Sequence, residues 1–469
     1  MKHYISYCIL WILMTLTGCS FGPKYVPPTA SVPASWSEGQ GHSQPAVSNE
    51  EAWWRNFHDP ILNNLIEQHS VYNLNLQVAQ ARIATAQAEY AVAVGQFFPV
   101  VNIAGLPPSG TGVTINQLIA LTTSIEPDLF GRIRQSKKSA QANVNASEAD
   151  RNFTVINLYA EIATSYLELR AAQAKNSILT RNLEVSKQIL QFAKSRYKVG
   201  NTKYTDIAQQ DSLIETQLAE IEQNKALIVA TLHKIELLTG NNPGVLVKTL
   251  LPVKQIPRIT QTIDLGVPSE LLRRRPDIIA AEHRVAIAHA NIKIAIANLF
   301  PQINIGWLLG WQTQTLASNL FAISNPASTL FGTFDASIFN LSSYRVIDVR
   351  KREKIIAVLQ YQLTVMNALH EVEIQYNYCK HYSASEKHLR QAVDKKQLVL
   401  KLFKNSYEKG AFDFGAVLLA EQELNGLQDS YLQNVVMHQV AKINLYKALG
   451  GSVVLPKEMP VVGDNKRTS

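Results

Sequence analysis

Two long stretches of the chain have the hydrophobic spacing of α-helices. Residues 135–199 and 345–409 contain neither proline nor glycine. Within the first stretch, apolar residues recur every three or four positions, at Val155, Leu158, Ile162, Tyr166 and Leu169. Each stretch would extend about 95 Å as a helix. Because this far exceeds an ordinary globular helix, the pattern predicts long helices that pack as coiled coils.

Two other spans carry no charged residue, residues 90–125 and 294–334. Prolines and glycines interrupt both, which argues against membrane-spanning helices. Their apolar residues alternate with small or polar ones instead, as in Ile303, Ile305, Trp307, Leu309 and Trp311. About ten alternating residues between turns is typical of a transmembrane β-strand, although alternation alone also fits a soluble sandwich strand. The absence of charge on both faces favours the membrane.

The chain contains two copies of one unit. Residues 82–99 resemble residues 284–301, and residues 196–200 resemble residues 406–410. Each copy reads as helix, β-hairpin, very long helix, turn at Gly200 or Gly410, and returning helix. The predicted segments are a signal peptide at 1–18, a lipid-anchored N-terminal segment at 19–60, a first repeat at 61–266, a second repeat at 267–455 and a tail at 456–469. The first repeat is predicted to contain an opening helix at about 61–98, a hairpin at about 100–126 and helices at 135–199 and 203–239. The second repeat is predicted to contain a hairpin at about 302–339 and helices at 345–409 and 413–449.

Two hairpins give four strands per chain, and an open four-stranded sheet would leave unpaired edges in lipid. The sheet therefore predicts an oligomer. Two chains would supply about eight strands and three chains about twelve, and the strand count does not choose between them.

The N-terminus is similar to a bacterial lipoprotein signal. A basic start and a short apolar run lead to the sequence Leu16-Thr17-Gly18-Cys19. The resemblance implies cleavage before Cys19 and attachment of lipid to it, whereas an ordinary secretory signal containing a cysteine is the alternative. Cys379 would then be the only unmodified cysteine of the mature chain, which excludes an intrachain disulfide.

Composition narrows the functional classes. The chain is 46% hydrophobic and 17% charged, with a formal net charge of +8 and a mean hydropathy of −0.05. These values argue against a disordered chain and against a polytopic helical membrane protein. The basic excess forms no cluster interleaved with aromatic residues, so no nucleic-acid partner is expected. His370-Glu371 lacks the second histidine of a zinc-protease motif, and we expect no catalytic site, no metal and no cofactor besides the lipid.

Three segments carry a family resemblance. Residues 267–282, VPSELLRRRPDIIAAE, resemble the signature of outer membrane efflux proteins of the TolC type, with Arg274, Arg275, Pro276 and Asp277 at its centre. Residues 21–28 and 126–132 resemble the lipoprotein (NodT-like) subfamily. The resemblance implies a homotrimer in outer membrane lipid, with a twelve-stranded β-barrel and a helical barrel crossing the periplasm. It also implies two protein partners, a periplasmic adaptor (membrane fusion) protein and an inner-membrane transporter.

The implied function is a passive exit duct for drugs or other toxic small molecules. Export of proteins or peptides by type I secretion is the alternative within this class. A structural envelope lipoprotein without a pore is the alternative from another class. The two uncharged hairpins argue against a structural lipoprotein, because a coiled-coil spacer does not need four uncharged alternating strands.

In the resembled family, the helical turns close the tunnel at its periplasmic end. The matching residues here are Tyr197, Gly200 and Asp206 in the first repeat and Tyr407 and Gly410 in the second. Ala416 stands where a counterpart of Asp206 would fall, and Asp413 is the nearest acidic residue of the second repeat. In a trimer each carboxylate would become a ring of three that attracts cations. A helix-capping role is the alternative for the aspartates. The arginines at 273–275 are expected to be solvated or to form intersubunit ion pairs.

Overall fold

The computed structural model describes residues 22–37, 52–109, 114–316, 325–335, 340–409 and 413–451. Within these residues the main elements follow the same order twice. The first repeat contains α1 (Leu74–Gly95), β1 (Val100–Ser109), β2 (Thr114–Ile125), α2 (Arg132–Lys198) and α3 (Tyr204–Leu238). The second contains α4 (Pro276–Ala297), β3 (Gln302–Leu316), β4 (Asn325–Asp335), α5 (Leu341–Glu408) and α6 (Phe414–Ala448). The predicted fold class, mainly helical with a small sheet and a two-fold repeat, is confirmed. The signal peptide, Cys19, Gly410 and the tail lie outside the described residues.

The two hairpins join into one antiparallel sheet in the order β1-β2-β3-β4. Strands β2 and β3 connect the repeats, with Leu121 opposite Leu309. Along β3, Ile305, Trp307 and Leu309 are exposed, whereas the intervening Gly306 is buried. A Cβ at Gly306 would overlap the ring of Phe331, so glycine is required for this ring to cover the strand. The alternation predicted for β3 therefore corresponds to two different faces.

The two longest helices are almost equal in length. Helix α2 has 67 residues and α5 has 68, so each extends about 100 Å. Helix α2 begins slightly earlier than predicted because Asp128 caps it. The Asp128 carboxylate accepts hydrogen bonds from the backbone N–H groups of Ile133, at 3.0 Å, and Arg134, at 2.8 Å. No described helix has a window that is apolar and long enough to cross a membrane.

Packing divides the chain into two compact units, and each unit draws on both repeats. Among the described residues, the first unit comprises 22–30, 81–109, 114–150, 277–316, 325–335 and 340–364 and contains the sheet. The second comprises the other described residues and contains a large hydrophobic core. Its aromatic centre includes Trp53 stacked on Tyr446, with ring centroids 5.6 Å apart, and Trp54 edge-on to Tyr159 at 5.0 Å.

The single opening helix predicted at residues 61–98 is wrong in its first part. Short helical segments at Pro60–Asn64, Leu65–His69 and Ser70–Tyr72 precede α1. Asn73 separates them from α1 with an extended backbone. Its Oδ1 accepts a hydrogen bond from the N–H of Leu76 at 3.0 Å, and its Nδ2 donates to the carbonyl of Leu238 at 2.8 Å. The break depends on this side chain and its distant partner, which hydrophobic spacing does not report.

Candidate functional site

The turn between α2 and α3 is closed by local hydrogen bonds. Gly200 has a φ of +73°, which favours glycine, and its N–H donates to the carbonyl of Tyr197 at 3.0 Å. The next N–H, that of Asn201, donates to the carbonyl of Arg196, also at 3.0 Å. In the first turn of α3, Asp206 Oδ2 accepts hydrogen bonds from Thr202 Oγ1 at 2.7 Å and Lys203 N at 3.3 Å. Asp206 therefore caps α3 and orients Thr202.

Tyr407 connects the end of α5 to this turn. Its side chain is 4% exposed, and its hydroxyl lies 3.2 Å from Thr202 Oγ1. The Tyr407 carbonyl accepts a hydrogen bond from Arg196 Nη1 at 2.7 Å, and the same guanidinium lies 4.9 Å from the centre of the Tyr407 ring. A charge-assisted hydrogen bond, a hydroxyl contact and a cation–π contact thus join the second repeat to the first.

Aromatic packing fixes the position of Tyr407. Phe192 of α2 and Phe414 of α6 both approach its ring edge-on, each with ring centroids 5.5 Å away. The surrounding buried residues are Ile189, Ala193, Ile207 and Val417. Because the ring is held on several sides, the hydroxyl of Tyr407 has one well-defined position opposite Thr202.

The structure brings Asp206 and Tyr407 into one network through Thr202, and it leaves two other predicted residues outside that network. Tyr197 is 47% exposed and packs against Tyr204, with ring centroids 6.0 Å apart. Asp413 is exposed at the start of α6 and makes no side-chain capping hydrogen bond. Sequence reasoning missed Thr202, because its partner Tyr407 belongs to the other repeat and no local pattern reports that contact.

A second set of hydrogen bonds, which the sequence analysis also did not identify, joins α2, α3 and α6. Glu421 is 1% exposed and accepts hydrogen bonds from the Ser186 hydroxyl and, at 3.4 Å, from Gln210 Nε2. Gln210 Nε2 also lies 3.2 Å from the carbonyl of Ser186, to which it donates. Burial raises the pKa of the Glu421 carboxyl, and the two hydrogen bonds oppose this shift. The protonation state of Glu421 therefore affects the stability of the contacts among these three helices.

The signature segment 274–277 forms a junction between helices. Arg275 is extended, as the following proline predicts, and 6% exposed. Its Nη1 donates to Glu371 Oε2 at 2.8 Å and to the carbonyl of Ala448 at 2.9 Å. The expectation of a solvated or intersubunit arginine is therefore wrong for Arg275, because the end of α6 and the flank of α5 supply its partners within the chain.

The other signature residues have local roles. Arg274 pairs with Glu270 at 2.8 Å and remains 42% exposed, which fits the expected solvated ion pair. Pro276 is the first residue of α4, where a missing N–H is tolerated. Asp277 Oδ1 accepts a hydrogen bond from the N–H of Ile278 at 3.0 Å in the first turn of α4.

A doubled helix–hairpin–long helix–helix chain with one four-stranded sheet defines the class of TolC-type outer membrane channels. The family model described as outer membrane efflux protein matches residues 65–241 and 267–451, and the chain belongs to that family. The chain is 29% identical to the toluene efflux pump outer membrane protein TtgC of Pseudomonas putida, over 93% of each chain. It is 26% identical to nodulation protein T of Rhizobium leguminosarum bv. trifolii, over 92% of this chain and 94% of that one.

Solved structures show the same fold. The outer-membrane channel OprN is 29% identical and superposes with a TM-score of 0.85, covering 93% of this chain and all of that one (100%). CusC is 25% identical with a TM-score of 0.81, covering 92% of this chain and 100% of that one. The protein is therefore an outer membrane channel of a tripartite efflux pump, as the sequence resemblance implied. Proteins of this kind work with inner-membrane pump components, and the spacer alternative does not apply.

Proposed function

We propose that three copies of this chain assemble into one continuous duct. The observation that carries this proposal is the four-stranded sheet, whose outer strands β1 and β4 each have one partner within the chain. Ile305, Trp307 and Leu309 expose apolar side chains on β3 of the same sheet. A sheet in lipid must close on itself, so the edges β1 and β4 pair with those of neighbouring copies. Three copies give a barrel of about twelve strands.

The cargo that we propose is a small organic molecule, delivered by an inner-membrane transporter through a periplasmic adaptor protein. The names of the relatives support this class. TtgC belongs to a toluene efflux pump, and OpmQ of Pseudomonas putida, 29% identical over 95% of this chain and 97% of that one, is named for pyoverdine export. The duct itself needs no catalytic group or cofactor, and lipid on Cys19 would anchor it beside the barrel.

The Tyr407 network is proposed to hold the periplasmic entrance closed. Arg196 and Thr202 lie at the end of the first helical pair, and Tyr407 lies at the end of α5. Because each contact joins one pair to the other within a chain, separating the pairs requires all of them to break. Asp206 supports the closed arrangement by holding Thr202 and would place one carboxylate per chain at the entrance.

The proposed function can be tested in a bacterium that lacks its own outer membrane efflux channels. The full-length chain is produced with an adaptor protein and an inner-membrane transporter of a tripartite efflux pump, and efflux of a fluorescent dye is followed with and without a transporter inhibitor. We expect inhibitor-sensitive efflux only when all three proteins are present, and a trimer mass for the purified channel. Dye retention despite an assembled trimer, together with release of a type I secretion substrate, would favour protein export instead.

A further inference from the structure

A basic cavity lies between the end of α1 and the beginning of α2. Its volume is about 560 Å³, and its lining includes Tyr90, Phe97, Arg134, Lys137, Lys138 and Gln141. Three of its lining residues are cationic, two are aromatic and none is acidic. Such a lining attracts an anion and offers aromatic surface to an apolar group beside it.

The two lysines provide the available positive charge. Arg134 Nε already donates to Asp128 Oδ2 at 3.0 Å, so its charge is largely compensated. Lys137 Nζ lies 5.8 Å from the centre of the Tyr90 ring, and Lys138 is exposed. Across the part of the chain that the structure describes, no carboxylate forms an ion pair with either lysine. The cavity thus carries two lysine side chains that no described carboxylate pairs with.

Positive charge extends from the cavity to α4. Burial lowers the pKa of Lys293, and the nearby charge of Lys138 lowers it further. The segment that follows the predicted lipid anchor reaches this place, because a Cβ on Gly22 would lie 3.2 Å from Lys293 Cγ. The described N-terminal segment that begins at Gly22 therefore lies beside this basic surface.

An exposed apolar band adjoins the cavity. Helix α1 ends at Gly95 and β1 begins at Val100, so Phe97 of the cavity lies in the connection to the sheet. Phe98 of this connection is 64% exposed, and Val101 (58%) and Ile103 (80%) on one face of β1 also expose apolar side chains. Basic residues next to an apolar band are typical of a protein surface at the level of lipid headgroups.

We propose that this cavity binds the phosphate headgroup of an anionic phospholipid in the periplasmic leaflet of the outer membrane. Lys137 and Lys138 neutralise the phosphate as point charges, and Tyr90 and Phe97 contact the glycerol and the start of the acyl chains. The adjoining apolar band favours a lipid over a free phosphate ion, since a free ion gains nothing from it. The bound lipid would occupy the space between α1, the start of α2 and the first hairpin.

Native mass spectrometry of the full-length trimer tests this proposal. The channel is purified in a neutral detergent and mixed with phosphatidylglycerol or phosphatidylcholine vesicle lipid. We expect at least tenfold stronger retention of phosphatidylglycerol. The double variant Lys137→Gln/Lys138→Gln should weaken it about 25-fold, because one cation near an anionic headgroup contributes about 1 kcal/mol. The control Lys187→Gln/Lys225→Gln makes the same charge change at exposed residues of α2 and α3 and should bind like the wild type.

Several outcomes would overturn the proposal. Equal retention of the two lipids by the unmodified channel would do so without any substitution. Unchanged retention in the Lys137/Lys138 variant, or an equal loss in the control, would also do so. Displacement of the lipid by equimolar glycerol 3-phosphate would identify a free phosphate site instead. The charge-preserving variant Lys137→Arg/Lys138→Arg should retain the lipid, and the trimer mass in the same spectrum shows that each variant has assembled.

Discussion

Removal of one hydroxyl group from the Tyr407 network should shift the channel toward the open state. Tyr407→Phe deletes the contact to Thr202 Oγ1 at 3.2 Å and leaves the ring between Phe192 and Phe414. It also keeps the carbonyl that accepts the hydrogen bond from Arg196. The loss is therefore confined to one neutral hydrogen bond, about 0.5–1.5 kcal/mol per chain.

Three chains acting together multiply this effect. If the entrance opens only when the contacts in all three chains break, the closed state loses about 1.5–4.5 kcal/mol, a factor of about 10 to 2,000 in the ratio of closed to open channels. Arg196→Gln should act more strongly, because it removes a charge-assisted bond at 2.7 Å and the cation–π contact. We expect a loss of about 2 kcal/mol or more per chain for this change.

Single-channel conductance in planar bilayers measures these shifts. Tyr407→Phe should raise conductance, and Asp206→Ala combined with Tyr407→Phe should raise it further and weaken block by divalent cations, since a ring of three carboxylates is lost. The matched control is Tyr197→Phe, which removes an exposed hydroxyl from the last turn of α2. Wild-type conductance and block in a correctly assembled Asp206→Ala/Tyr407→Phe trimer would refute the gate assignment, as would an equal effect of Tyr197→Phe.

Three further predictions concern the anchor, the sheet and a buried acid. Cys19→Ala should abolish acylation but keep some outer membrane insertion, because the sheet also holds the protein in lipid; fractionation that finds only a soluble, folded trimer would contradict this. Leu309→Arg should reduce the amount of assembled trimer in the membrane, because a charge at mid-depth costs about 2–4 kcal/mol. Leu308→Arg on the opposite face of the strand should be tolerated better. Gel electrophoresis of membrane fractions measures the amount of trimer for both variants. The raised pKa of Glu421 means that the folded state binds more protons, so the free energy of unfolding falls as pH rises above the ordinary value of 4.5. Glu421→Gln should flatten that dependence and raise the melting temperature at neutral pH. If the melting temperatures of the wild type and the variant changed with pH to the same extent, this interpretation would be wrong.

Local sequence determined the type and order of the main elements. The absence of proline and glycine from residues 135–199 predicted α2, because nothing in that stretch interrupts the helical hydrogen bonds. The alternation at Ile305, Trp307 and Leu309 predicted β3, because successive strand residues face opposite sides. Pro276 likewise accounts for both the start of α4 and the extended backbone of Arg275, because proline fits the first turn of a helix and disfavours helical backbone in the residue before it. Each of these outcomes depends on neighbouring residues alone.

Tertiary structure decided which residues meet across the two repeats. Pairing of β2 with β3, the partners of Arg275 and the contact between Thr202 and Tyr407 all join positions roughly one hundred or more residues apart. Hydrophobic periodicity records that a face is buried, but it does not record what covers that face. The break at Asn73 shows the same limit, because a side chain that caps a helix and reaches a distant carbonyl overrides a continuous helical pattern. The candidate gate is therefore visible in the sequence as separate residues, and only the packing of one helical pair against the other makes it a network.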